Sequence, residues 1–361
     1  MLKTFPARKT ESVENLLKLW LQRFTLNKFY LSIGNPLSSN ELLQANSLKG
    51  RAITAVKLKD TVLDVNCQMA WIQTKALYNY ISNILDLNEA RRITQFAFRV
   101  YRKLLEVYQQ HSIDETIHAA EQKTALPIWG LAELEQLLYE LEPILTIFQE
   151  QHVISKDWRA LGFMTSQLNF SNQLILKKLA PAEKVLLAPY LKFVEEQVAM
   201  PWQRVCHSAA KHEQNSPMVA LVEQMLPESE NIARTVYRQL TELLPNHRSR
   251  RGGLADPGIT HSCIRDLSMF QAYLWLCFLE RSVAPIKQEL LPLCVMVVQG
   301  VEIQWEMTEK WCQLLGEEIV SRIQPEQREL LEPYTQALQQ IFFEERQRLH
   351  FPLKVEPVSE W

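Results

Sequence analysis

Apolar positions recur every three or four residues over most of the chain, the spacing of one face of an α-helix. In ESVENLLKLWLQRFTLNKFYLSI, the residues Val13, Leu16, Leu17, Trp20, Leu21 and Phe24 fall on one stripe. In DLNEARRITQFAFRVYRKLLEVYQQ, the stripe is Ile93, Phe96, Phe98, Val100, Tyr101, Leu104 and Leu105. The polar face of that segment carries Arg91, Arg92, Arg99, Arg102 and Lys103, the most basic helical surface in the chain. Further helices are predicted at about 130–151, at 155–179 with Ser155 as cap, and at 181–213 from Pro181, where Pro189 and Pro201 should kink or split the element. Others follow at 216–226, 228–244, 260–283, 285–315 and 325–349. The segment FPLKVEPVSEW, 351–361, carries two prolines and reads as an extended tail.

One segment is ambiguous. RAITAVKLKDTVLDVNC, 51–67, alternates well enough for a minor β-hairpin around Lys59-Asp60, yet its alanines and lysines also suit a helix. Helix is the better reading, because a lone hairpin without a sheet to join is marginal. Glycine supports a helical chain throughout: 9 of 361 residues is far below the usual share of about 7%. The fold class expected is all-α, a multi-helix bundle with long, partly proline-kinked helices and no fixed-period repeat. Gly300 stands out inside the predicted 285–315 helix, where it costs about 1 kcal/mol relative to alanine. A close approach to a large ring such as Trp275 would account for it.

Charge suggests a division. Up to Lys123, 17 Lys/Arg stand against 11 Asp/Glu; beyond it, 22 stand against 30, and the whole chain carries −2. The first 59 residues hold 10 basic and 3 acidic side chains. With the TALPIWG break, this puts a boundary near 124–128, between a basic helical lobe (1–125) and a larger bundle (126–350). One continuous domain is the other arrangement. The charge bias either steers an acidic partner to one end or is neutralised inside the fold.

The six cysteines form no CxxC pair and read as small buried hydrophobes of a reducing cytosol. The first residues lack an apolar signal core. The greasiest stretches, 272–279 and 290–301, are short of the ~20 residues a bilayer span needs. A soluble, cytoplasmic protein is expected.

Catalytic signatures are missing. The chain has no GxxxxGK[ST], GxGxxG, HExxH or GxSxG, and no two adjacent aspartates to hold a magnesium diphosphate. A di-iron bundle needs two Glu-x-x-His motifs, and only Glu115–His118 exists. CHSAAKH offers Cys206, His207 and His212, but His207 and His212 are five apart rather than the four that share a helix face. Glu302, Glu306 and Lys310 follow helical spacing beside Glu309 and read as an exposed helical ion pair rather than an acid–base site. No metal and no cofactor is predicted.

The candidate binding region is HRSRRGGLADPGITHSCIRD, where three of the nine glycines fall within seven positions beside three arginines in four. Pro245 should stop the preceding helix. His247, Arg248, Arg250 and Arg251 offer cations, Gly252 and Gly253 can bare backbone N–H groups, and Asp256-Pro257 or Thr260 starts the next helix. His261 and Arg265 sit on its first turns. A helix N-terminus favours anions, although Asp256 puts a negative charge where an anion would lie. The stretch is a solvated connection, a dock for a partner's acidic surface, or a phosphate or nucleic-acid contact. It leads into two helices that are apolar on nearly every face, which are buried centrally or against another subunit.

The function expected is therefore non-catalytic: a regulatory, assembly or scaffold protein that binds an acidic protein surface through 247–265, with homo-oligomerisation open. The alternative is a helical binder, an enzyme among them, of a phosphorylated or tetrapyrrole-like anion held by the same arginines with His247 or His261. A third reading is a nucleic-acid contact through the basic N-terminal third, which lacks a recognisable reader motif.

Overall fold

The computed structural model describes residues 11–25, 39–78, 87–110, 130–155, 159–213 and 215–349. These gather into two compact units, one within residues 1–211 and one within 212–361. The segment 124–128, the Glu115–His118 pair and the 351–361 tail lie outside the described residues. Helices on both sides of 124–128 share the core of the first unit.

That unit contains α1 (Glu11–Gln22), α2 (Ser39–Asn46), α3 (Leu48–Lys57), α4 (Asp60–Leu77), α5 (Leu87–Gln110), α6 (Leu131–Ser155), α7 (Arg159–Lys177), α8 (Pro181–Ala199) and α9 (Trp202–Ala209). The 51–67 segment is helical and forms no hairpin. Arg51, Thr54, Leu63, Cys67 and Ala70 point inward at helical spacing, and Leu58-Lys59 only links α3 to α4. Ser155 is the last residue of α6, and the next helix begins at Arg159. Pro189 is accommodated inside α8, while Pro201 separates α8 from α9. A side chain on Gly50 would overlap the carbonyl of Gln44, so the α2–α3 corner admits only glycine there.

Helix α8 is buried on almost every side from Leu186 to Ala199 and packs on α7. A helix without a solvent face must have its polar groups met from within. Glu195 accepts a hydrogen bond from Asn172 at 3.0 Å, and Asn172 accepts one from the Tyr101 hydroxyl at 2.7 Å. Glu196 lies 3.2 Å from the Arg23 guanidinium, which stands over the Trp202 ring. Glu183, in the first turn, accepts from Lys57 at 2.7 and 2.8 Å, from Thr54 at 3.2 Å and from the Ala180 N–H at 2.8 Å. Arg51, 2% exposed, donates to Asn46 at 2.9 Å and to the Tyr108 carbonyl at 3.2 Å, and Glu133 is 3.8 Å away. Arg23, Arg51 and Lys57 belong to the basic first 59 residues. The carboxylates beside them, Glu196, Glu133 and Glu183, come from later in the same unit, so part of the N-terminal charge excess is neutralised internally.

The second unit contains α10 (Pro217–Met225), α11 (Ser229–Leu243), β1 (Arg248–Ser249), β2 (Gly252–Gly253), α12 (Pro257–Glu280), α13 (Leu291–Gly300), α14 (Trp305–Ser321) and α15 (Pro325–Arg348). Helix α12 is buried at every position from Leu267 to Leu279, as its apolar run predicts. Of its interior polar residues, Gln271 donates to the Ser229 carbonyl at 2.9 Å and Ser268 to the Ile264 carbonyl at 3.1 Å. Phe270, Trp311, Phe342 and Trp305 form a ring cluster, with the Trp305 indole donating to the Phe342 carbonyl at 3.0 Å.

The expected 285–315 helix is broken. A π-turn over Ile286–Leu290 leads into α13, which Gly300 closes, and helix resumes at Trp305. The Ile303 N–H reaches back to the Val298 carbonyl at 3.0 Å, and Glu302 takes the left-handed conformation at φ +56°. That is the C-terminal cap in which glycine is usual. Gly300 is thus the last residue of a helix and not an interior position of a longer one. Glu302 stands outside the face shared by Glu306 and Lys310. Lys310 donates to Gln313 at 3.2 Å, and Glu309 pairs with Arg346.

Burial alone would raise the Glu183 carboxyl, but its hydrogen bonds from Lys57, Ala180 and Thr54 outweigh this and hold it below the ordinary glutamate range. Its contribution is complete above about pH 4.3 and drains away as the pH falls through the lower folded value. Glu183→Gln should cost about 1–2 kcal/mol at neutral pH, allowing for the half-exposed Lys57, and should flatten the acid limb of stability. Urea unfolding at neutral pH and at about pH 3 reads both effects.

Candidate functional site

The arginine- and glycine-rich stretch is a small hairpin between α11 and α12. Leu244 ends α11, and β1 pairs antiparallel with β2, Arg248 opposite Gly253 and Ser249 opposite Gly252. Gly252 has φ +135°, a region essentially closed to other residues. A side chain there would also overlap the Asp256 carboxylate.

The loop's polar groups are largely met from within the unit. Asp256 occupies the N-cap position of α12, with Pro257 as first helical residue. Its carboxylate turns back into the loop and accepts the Gly253 N–H at 2.8 Å. The Arg251 N–H donates to the Ser249 hydroxyl at 3.2 Å, and that hydroxyl donates to the Gly252 carbonyl at 3.2 Å. Tyr237, on α11, donates to the Leu254 carbonyl, and Thr260 lies 3.3 Å from the same phenol oxygen.

Arg250 anchors the hairpin to the α13–α14 corner. Its N–H donates to the Val301 carbonyl at 2.8 Å, and its guanidinium donates to Glu302 at 2.5 Å. The left-handed turn at Glu302 brings that carboxylate to the loop. No local signal in the sequence links Arg250 with a residue 52 positions downstream.

The remaining predicted residues divide by exposure. Arg248 and Arg251 are exposed, and no carboxylate among the described residues forms an ion pair with either. His261 is exposed on α12. Arg265 is half-buried and pairs with Asp266 at 2.7 Å. His247 is buried, and its Nε2 has no hydrogen-bond partner among the described residues. Burial pushes its pKa below the ordinary value, against the opposing charge of Glu306, so the ring is neutral at neutral pH and presents no cation to the loop surface.

The basic face of α5 is partly neutralised. Arg92 pairs with Glu89, Arg102 with Glu106 at 3.2 Å, and Lys103 with Glu106 at 2.8 Å and Glu140 at 3.4 Å. Arg91 and Arg99 are exposed. Cys206 is buried and its thiol is pushed up to about 12 by burial, while His212 is engaged with the Leu279 carbonyl at 2.8 Å. Among the described residues, no cluster of three His, Cys, Asp or Glu side chains could hold a metal ion, and no helix is long and apolar enough to cross a membrane.

Comparison of the chain with protein-family models, with curated protein sequences and with solved structures finds no match.

Gly252→Ala should cost about 1–3 kcal/mol, because it forces a side chain into a glycine-only conformation and displaces Asp256 from the Gly253 N–H. Faster tryptic cleavage within 248–251, with the rest of the chain intact, would report the loosened hairpin. The depressed pKa of His247 makes its contribution complete above about pH 6.5 and lost as the pH falls through the lower folded value. Thermal melts from pH 7 down to about pH 5 should show that loss in the native chain and a flatter profile in His247→Leu.

Proposed function

We propose that the chain is a non-catalytic regulatory, assembly or scaffold protein of the cytoplasm that docks the acidic surface of a protein partner through Arg248 and Arg251. The observation carrying this reading is the division of labour in the hairpin. Arg250, Ser249 and Asp256 are engaged by partners within their own unit, and the two flanking guanidiniums are left exposed on a stiffened turn. Rigid, planar, permanently charged donors suit carboxylates, and holding them in place lowers the ordering cost of association.

A small phosphorylated or tetrapyrrole-like ligand is less well supported. The Gly253 N–H is already given to Asp256, His247 is buried and neutral, and Arg265 is balanced by Asp266. A flat acidic protein surface asks only for exposed charge, which Arg248 and Arg251 supply. A nucleic-acid contact through the N-terminal third loses support from the internal pairing of Arg23, Arg51 and Lys57.

Charges at the rim of an interface act mainly on association rate and salt dependence. Arg248→Glu/Arg251→Glu, with Arg250 kept as anchor, should weaken retention of lysate partners by about tenfold or more and remove its salt sensitivity. Affinity purification with mass spectrometry reads this directly. An unchanged partner list, or a thermal shift of several degrees with a phosphorylated small molecule that depends on these arginines, overturns the docking reading.

A further inference from the structure

Eleven large apolar side chains are exposed among the described residues, and seven of them fall between Leu43 and Ile72. Scattered exposed apolar residues are ordinary, whereas a concentration marks an interface. Helix α4 carries the clearest pattern. Val65, Met69 and Ile72, at positions i, i+4 and i+7, are 52%, 45% and 66% exposed, and Ala76 continues the row. The opposite face of α4, with Leu63, Cys67, Ala70 and Thr74, is buried in the first unit. The helix is therefore apolar on both faces, and its own unit covers only one.

The charges beside the row select the occupant. Asp64 and Lys75 are exposed and stand eleven residues apart, which is about three full turns, so both lie on the same flank of the row. The Gln68 amide holds the Asp64 carboxylate on that flank, donating to it at 2.8 Å. The midpoint between Asp64 and Lys75 falls at Met69–Ala70, within the span from Val65 to Ala76. When two copies of such a helix pack antiparallel about a two-fold axis there, equal flanks face each other. Asp64 of each copy then meets Lys75 of the other, while Met69 meets its own counterpart. A parallel pair would set this flank against the opposite one, which has no matching charge.

We infer that the exposed face of α4 is a homodimer interface, in which a second copy of this chain packs antiparallel across Met69 with reciprocal Asp64–Lys75 pairs. The inference is independent of the hairpin in the second unit. One helix face is smaller than the about 800 Å² per partner of a standard interface. The dimer is accordingly expected to dissociate in the micromolar range.

Register can be tested with a thiol, because all six native cysteines are free and buried. Under mild oxidation the full-length Met69→Cys chain should cross-link nearly completely, since the two-fold axis passes beside this position. Val65→Cys should not, because the two positions are offset by about 12 Å along the helices, beyond the reach of a disulfide. Light scattering across the micromolar range should show a dimer that Met69→Asp abolishes. Asp64→Lys and Lys75→Asp should each weaken it, and the double exchange should restore it. Circular dichroism of these surface variants would confirm that each is folded. A native chain that stays monomeric, a dimer indifferent to Met69→Asp, or equal cross-linking at 65 and 69 overturns the inference. So does a monomer whose row instead binds anionic vesicles or a different protein.

Discussion

Between Leu267 and Leu279, α12 has no solvent face, so no polar group there can rely on water. The second unit meets this constraint by making the run almost wholly apolar and giving Gln271 a carbonyl from the start of α11. The first unit meets the same constraint on α8 by another route, matching each buried carboxylate to a cation or amide from elsewhere in the unit. The two solutions differ in what damages them. An apolar centre is sensitive to lost volume, whereas a centre that includes the Arg23–Glu196 pair is sensitive to losing either partner, because the survivor stays buried and unmet.

The hairpin between α11 and α12 extends the same principle to the surface. Its backbone donors and one of its three arginines are held by Asp256, Ser249 and Glu302. What remains outward is a pair of cations at fixed positions. Rigidity and charge thus come from different residues, and the anchor can be separated experimentally from the docking groups. Glu302 carries part of this burden by accepting a left-handed conformation that glycine would adopt more easily.

Much of the helical architecture was legible because amphipathic spacing and proline positions are local properties. The stripes of α1 and α5, the split at Pro201 and the start of α12 at Pro257 follow from residues within a few positions of each feature. The break after Gly300 was not legible. Apolar spacing runs on through Val301 and Ile303, and the interruption depends on a conformation at Glu302 that its residue type does not announce. In the candidate site, the concentration of arginine and glycine and the countercharge of Asp256 were visible. The burial of His247 and the Arg250–Glu302 pair were not, since both depend on contacts between distant segments. Periodicity also assigns an apolar row to a core whether a helix has one such row or two, so spacing alone does not separate the outward row of α4 from its buried one.

The burial of all six cysteines changes what they say about environment. Cys67, Cys206 and Cys263 have thiols pushed up to about 12 by burial, and burial also pushes Cys294 and Cys312 well above the ordinary thiol value. At these five positions burial disfavours the thiolate, the form that oxidants modify and that attacks disulfides. Burial thus shields these sulfurs in the folded chain. Their rate of modification becomes a clock for opening, with Cys67 and Cys206 timing the first unit and the other four timing the second.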